Sequence, residues 1–338
     1  MTDRLPTLNI ESRLVRLVGS LSRTQKLVIA GLAFIVWAAV PQLTDDFFFM
    51  NMLIFVFLFA GLGHGWNILG GYAGQVSLGH ALMFAVGAYT TAMLYVEYGF
   101  PPIAGWFVAG LVALGVGLGL GAITFALRYH YFAMATLAAA LIARLLFIRW
   151  DYIGGATGIE YPLDQVGSIM TLTFNTKDPY YYLMGGFAIL VTLVMYQLDR
   201  SRLGVYLKSI NMDQGLAESA GINAFWYKMY AMAISSFITG VGGALYANYV
   251  LYIDPLSTLR VLRNIDILMV PVIGGIGTVW GAVLGAFIFI PVREITRTSL
   301  SGTQTGLGWV FFGVVLVLIA IYRPGGLLNK YSGRWGNE

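Results

Sequence analysis

The chain has no cysteine and very little charge. Without a thiol there is no disulfide, no thiolate metal centre and no cysteine nucleophile. Histidine is nearly as scarce, and its three copies, His64, His80 and His130, show no ligand spacing. Charged residues make up 11% of the 338 positions, against about 25% in an average soluble domain. That is too little to coat a water-soluble globule, which excludes a soluble enzyme and a nucleic-acid binder. The net charge of +4 is better explained by basic residues gathered on one membrane face. A Walker A loop, an HExxH helix and a Gly-x-Ser-x-Gly elbow are all missing. What is present is apolar. The chain is 58% hydrophobic, and its 42 glycines lie inside runs of Leu, Val, Ile, Phe and Ala. The composition predicts an all-α polytopic membrane protein.

A run of ~18 or more apolar residues crosses the ~30 Å hydrocarbon core as a helix. Such runs occur near 27–43, 47–69, 81–97, 101–127, 130–149, 179–198, 229–252, 265–280, 281–296 and 306–322. The pair after 265 is interrupted by Gly274, Gly275 and Gly277, and each half is short. Broken helices are tolerated in a membrane only where protein or a water-filled path satisfies the freed backbone. The expectation is about 8–10 transmembrane helices with glycine-rich broken or re-entrant segments.

Basic residues set the orientation. With the N-terminus inside, thirteen of the twenty lysines and arginines fall on the cytoplasmic side, at 4–26, Arg128, 200–228 and 323–334. Arg260, Arg263, Arg293 and Arg297 run against this bias. The first 26 residues lack a signal-peptide pattern. Ile10, Leu14, Leu17, Val18 and Leu21 recur there at helical spacing between arginines, which fits either an amphipathic helix on the inner membrane surface or an ordinary basic flank. The organisation is thus a cytoplasmic segment 1–26, a membrane domain 27–322 and a cytoplasmic tail 323–338. The domain carries an external loop at 150–178 and a cytoplasmic loop at 199–228. Arg144 stands out inside a span, near enough to its end to snorkel to the interface or else to serve a function.

Three glycine stretches depart from simple lipid-facing helix. The first holds Gly70, Gly71, Gly74 and Gly79 with Gln75, Ser77 and His80. It reads either as tight helix packing or as an unwound segment lining a path. The second, Gly274, Gly275, Gly277 and Gly281, is followed by Gly285-Ala286-Phe287. It echoes Gly71, Gly74 and Gly87-Ala88-Tyr89 as a short repeat signal. The third, Gly154, Gly155, Thr157 and Gly158, reads as an external turn rather than a phosphate cradle, since no Lys-Ser or Lys-Thr follows it. In the cytoplasmic loop, 213–220 reads as a short helix with Asp213 as N-cap, Gly221 at C′ and a small apolar face of Leu216, Ala217 and Ala220. Such a helix suits a groove on a partner or is a plain connector.

Gly71-Tyr72-Ala73-Gly74-Gln75-Val76-Ser77-Leu78-Gly79-His80, continuing to Gly87-Ala88-Tyr89, resembles the signature segment of the LivM-type permeases. These are membrane subunits of branched-chain amino acid ABC importers. Tyr131-Phe132-Ala133-Met134-Ala135-Thr136-Leu137-Ala138, the loop 204–222, the segment 235–246, Asp254-Pro255, the second glycine stretch and Pro324-Gly325-Gly326-Leu327 continue the likeness in order, over roughly 45–328. The resemblance implies a permease with no catalytic site and no cofactor of its own, in a bacterial or archaeal inner membrane with both termini cytoplasmic. The implied partners are two cytoplasmic ATPases that hold ATP and Mg, a second LivH-like permease and an extracytoplasmic solute-binding protein. It implies ATPase coupling through Asp213, Leu216, Ala217, Glu218 and Gly221. It also implies a translocation path near Gly71, Gly74, Gln75, Ser77 and His80, near Gly155, Thr157 and Gly158, and near Gly274, Gly275 and Gly277. The chain departs from the family at Asn211 and Gln214, where a basic residue and a Glu are usual, and at Thr157, where an acid is usual.

The expected function is the transmembrane step of an ATP-driven importer of branched-chain or related amino acids. Alternatives are a urea or short-amide ABC importer and an ion-coupled secondary transporter. The latter would be expected to carry buried Asp, Glu or His near the midplane, whereas apart from Arg144 the spans read as almost uncharged.

Overall fold

The computed structural model describes residues 37–44, 46–127, 130–162, 176–299 and 326–328, with Ile35, Phe174 and Gly313 as single positions. The N-terminal segment 1–26, the span 306–322 and most of the tail lie outside the described residues. Two compact units divide the chain, 1–50 and 51–338. In the first, residues 37–43 are helical. Asp46 Oδ1 accepts the Phe48 N–H at 2.9 Å, which caps the start of α1 (Phe47–Asn67).

Helix α1 widens into a π-turn, Ile68–Tyr72, and the chain is irregular until α2 (His80–Tyr98). Gly99 closes α2 in the left-handed region at φ 62°. Pro102 opens α3 (Pro102–Thr124), where its missing N–H costs nothing. Next come α4 (His130–Arg149), β1 (Ile159–Glu160) and α5 (Asp178–Arg200). The loop 199–228 holds two helices rather than the one expected, α6 (Arg202–Met212) and α7 (Gln214–Ser219). Helix α8 (Ala224–Val250) starts five residues before the expected span, because the Asn223 side chain caps it by accepting the Trp226 N–H. After β2 (Tyr252–Ile253) come α9 (Pro255–Thr258), α10 (Val261–Gly274) and α11 (Gly281–Ser299).

Five stretches are long and apolar enough to cross a membrane: 47–72, α3, α4, α5 and α8. The chain is an all-α, multi-pass membrane protein. Its strands among the described residues form one antiparallel ladder, with Ile159 opposite Ile253 and Glu160 opposite Tyr252. Burial separates inner helices from outer ones: 67% of the apolar window is buried in α8, against 33% in α3 and 22% in α4. Helices α2 and α8 cross with their backbones in contact, since a Cβ at Gly87 would strike the Gly240 carbonyl and one at Gly243 the Phe84 carbonyl. Without a hydrophobic force between helices in lipid, such close approach is how they hold together.

The expected spans 265–280 and 281–296 are not two plain crossings. Helix α10 has 14 residues and is ~21 Å long, short of the ~30 Å core. It folds back on α11 as an antiparallel hairpin. A Cβ at Gly274 would strike the Gly281 carbonyl, one at Gly285 the Val270 carbonyl, and Asp266 pairs with Arg293 further along. The hairpin tip, 275–280, is held from below by the chain end, where the Leu327 and Leu328 N–H groups donate to the Ile273 and Gly274 carbonyls at 2.9 Å each.

Candidate functional site

The irregular stretch 73–79 has lost the helical ladder, so each of its buried polar groups needs a partner. The Gln75 N–H donates to the Leu69 carbonyl at 3.0 Å. Trp66 Nε1 donates to the Ser77 carbonyl at 2.8 Å, and Thr136 Oγ1 accepts the Leu78 N–H at 3.1 Å. Asn264 Oδ1 accepts the Ala81 N–H at 2.7 Å and so caps α2 from outside. Ser235 Oγ donates to the Gly65 carbonyl at 2.6 Å, so it accepts from His80 Nε2 at 2.9 Å. That fixes the imidazole tautomer and leaves Nδ1 to accept the Ser77 hydroxyl at 3.2 Å. Two side chains of the expected path are thereby committed to the fold. Gln75 Oε1, by contrast, is buried without a hydrogen-bond partner.

The two glycine breaks meet. Asn67, fully buried, accepts the Gly277 N–H at 2.8 Å and donates to the Thr278 carbonyl at 2.9 Å. A Cβ at Gly71 would sit 2.6 Å from the Gly277 nitrogen, so only glycine admits this contact. Gly71 and Gly277 are therefore the contact of this junction, with Gly74, Gln75, Ser77 and His80 further along its first segment and Gly274 and Gly275 on its second. Gly155, Thr157 and Gly158 do not join it. They form a turn after α4 in which the N–H groups of Gly154, Gly155, Thr157 and Gly158 all donate to nearby carbonyls, so those four are not offered to an anion. Gly154 and Gly158 take φ of 82° and 78°, where a side chain would be strained. The turn is pinned to the C-terminal end of α8 by Tyr252 Oη, which donates to the Thr157 carbonyl at 2.8 Å. Beside it, burial raises the Tyr161 phenol above its ordinary range.

On the opposite end of the bundle, α7 is closed at both ends. Asp213 Oδ1 accepts the Leu216 N–H at 3.0 Å. At the other end Ile222 N–H bonds the Ala217 carbonyl and Gly221 N–H the Glu218 carbonyl, a Schellman stop with Gly221 at φ 86°. The apolar face splits in two. Leu216 is 72% exposed, whereas Ala217 is 5% exposed and packs on Ile210 and Ala224. Glu218 accepts from Gln214 Nε2 at 2.8 Å, and Gln214 Oε1 accepts from Lys228 Nζ at 2.8 Å. Helix α6 ties this loop to the junction. Asn211 Nδ2 donates to the Gly71 carbonyl at 2.9 Å, while Tyr72 Oη donates to Asp199 at 2.7 Å, and Asp199 is also paired with Lys208. Asn211 and Gln214, the two family departures in this loop, thus bond within this chain.

Arg144 is half-buried, but it is not the main intramembrane charge. The hairpin carries a buried ion network that the hydropathy reading overlooked. Asp266, 2% exposed, meets Arg293 at 3.0 Å and Arg260 at 3.2 Å, and Glu294 meets Arg293 at 2.8 Å and Arg297 at 2.9 Å. The signal was there in the four arginines that defied the charge bias. Asn67, Asn211 and Asn264 were also missed, each a single amide in an apolar or loop context.

The sequence profile of a family described as "Branched-chain amino acid transport system / permease component" matches residues 48–320. The chain is 28% identical over 289 residues to the high-affinity branched-chain amino acid transport system permease protein LivM of Escherichia coli, covering 79% of this chain and 67% of that protein. It is 24% identical over 306 residues to the probable branched-chain amino acid transport permease protein LivM of Methanocaldococcus jannaschii, covering 78% and 88%. A 66-residue stretch is 38% identical to the nucleoside ABC transporter permease protein NupC of Lactococcus lactis, 19% of this chain and 21% of that protein. No solved structure matches the chain. With a profile spanning the glycine junction, both loop helices and the hairpin, the chain belongs to the family of permease components of branched-chain amino acid transport systems.

Proposed function

We propose that this chain forms half of the membrane pore of an ABC importer for branched-chain amino acids, with its termini and α7 in the cytoplasm. A second permease completes the pore, two ATPases bind ATP and Mg, and a solute-binding protein delivers the cargo to the face that carries the β1–β2 ladder. The observation that carries the reading is the Asn211 bond to the Gly71 carbonyl. It makes an exposed, doubly capped helix continuous with the break between α1 and α2. An ATPase groove that grips Leu216 and pulls α7 moves α6 with it, and α6 bears on the junction through that bond. Coupling of this kind needs a contiguous set of contacts with two arrangements, and the Asn67–Gly277–Gly71 contact is the place able to change. Asp213 and Gly221 act by holding α7 rigid, Glu218 by closing its polar side, and Ala217 by seating it. The Gly71 to His80 side of the junction and the hairpin tip border the route of the solute. No chemistry on the solute is required of this chain.

The test is uptake of radiolabelled leucine by the assembled complex in vesicles. ATP-dependent uptake that resists an uncoupler is the expected result. Uptake that survives loss of the ATPases and collapses with the uncoupler would overturn the proposal in favour of ion coupling. Leu216→Arg tests the docking role, because the side chain lies outside the fold. Complex without bound ATPase, in normal membrane amounts, is the expected outcome, with uptake down at least about tenfold, as for an anchor side chain at an interface centre. Wild-type uptake by that variant would remove α7 from the coupling path.

A further inference from the structure

We propose that Arg263 is the docking point for the α-carboxylate of the transported amino acid on the outer side of the permease; this rests on the proposed amino acid transport. Arg263 is 4% exposed and, among the described residues, has no carboxylate within ion-pair distance. Its hydrogen bonds both leave from Nη2, to Tyr246 Oη at 3.2 Å and to the Ser257 carbonyl at 3.4 Å, and its Nε has no partner. A guanidinium offers five donors in a planar fork that matches a carboxylate, and here most of them are unused. A buried charge with no carboxylate in ion-pair contact is expensive, and Asp266, which acts on it from further off, is already held by Arg260 and Arg293, so the arrangement points to an anion that arrives and leaves.

The surroundings suit an aliphatic amino acid. The guanidinium carbon lies 4.8 Å from the Tyr246 ring centroid and 5.0 Å from that of Phe84, with Phe59 at 5.9 Å. These rings come from α8, α2 and α1, and they form an apolar wall beside the charge. Three arginines against two acids leave the hairpin network beside Arg263 with an excess of positive charge. Arg263 also sits in the first turn of α10, where the helix dipole adds to that potential. It lies at the open end of the hairpin, a few residues after the ladder where the outer loop meets α8. This is the side on which a delivered solute enters.

The test uses the assembled complex in phosphatidylcholine vesicles, with leucine and its carboxamide leucinamide as probes. Wild-type complex without binding protein should bind leucine at least about tenfold more tightly than leucinamide, the size expected where one carboxylate meets a buried guanidinium. Arg263→Gln should erase that preference and lower the kcat/KM of leucine uptake at least about 30-fold. Arg263→Lys, which keeps the charge and loses the fork, should fall between. Equal discrimination by wild type and either variant overturns the inference. So does an effect of Arg263 that disappears in phosphatidylcholine and returns with anionic lipid, which would assign the guanidinium to a headgroup. If Gln does not assemble, Lys and Tyr246→Phe decide by the same ratio of the two probes. A wild type that imports another carboxylate-bearing amino acid removes the branched-chain reading, and Arg263 is then tested with that solute. A wild type that imports urea or an amide instead overturns the inference.

Discussion

Replacing Gly285 with alanine is expected to leave little folded permease in the membrane. A Cβ there falls on the Val270 carbonyl and comes within 3.0 Å of the Gly274 nitrogen. Both obstacles are backbone, so no rotamer change relieves them, and the hairpin must splay. Overpacking with side chains around it costs about 1–3 kcal/mol, and a fixed carbonyl puts this case at or above the upper end. Splaying also breaks the Asp266–Arg293 pair across the hairpin, leaving Asp266 only Arg260 and Arg293 only Glu294 as buried partners. The same substitution at Gly186 of α5 meets nothing within 4 Å. It should stabilise by about 0.5–1 kcal/mol, because alanine restricts the unfolded chain and favours helix. Thermal unfolding of the two variants in detergent, side by side, is the measurement. Similar midpoints would mean that α10 and α11 are not interlocked as described.

Asn67→Leu is expected to lower transport more than tenfold while keeping the apolar character of α1. The amide bridges two backbone groups of the hairpin tip, the Gly277 N–H and the Thr278 carbonyl. Leucine leaves both buried without their partner, at about 1–3 kcal/mol for each unsatisfied group. Asn67→Asp sharpens the test. It retains an acceptor for Gly277 but turns an oxygen toward the Thr278 carbonyl, so it should also fail. Asn67→Ser, shorter and able to donate or accept, should keep part of the activity. Leucine uptake by the assembled complex, normalised to the amount of protein, checks the series. Full activity of Asn67→Leu would show that the junction need not be bridged.

Much of the architecture was legible in the sequence because hydrophobic runs and glycine clusters are local signals. The long helices, the α7 caps at Asp213 and Gly221, and the break after Gly70 each announce themselves within a few residues. The fit between the breaks was not legible. It depends on a carbonyl and an amide meeting across 210 positions, and nothing near Asn67 marks that side chain as a bridge. Two errors share one physical origin. Hydropathy averaged over a window treats Asp266, Arg293 and Glu294 as defects in two weak spans, whereas pairing across a hairpin makes them one buried network. The expected apolar face of α7 failed for the opposite reason. Spacing gave Leu216 and Ala217 the same side, but at adjacent positions one points out while the other seats the helix on Ile210 and Ala224.

Helix α8 runs 27 residues with no proline, a rod of ~40 Å. Its N-terminal end carries α7 through the Lys228–Gln214 bond, and its C-terminal end is strapped to the loop after α4 by the β1–β2 ladder and Tyr252. A push at one end of the rod therefore needs no relay to be felt at the other. The rod delivers it as displacement, and the two ends of the bundle share one moving part.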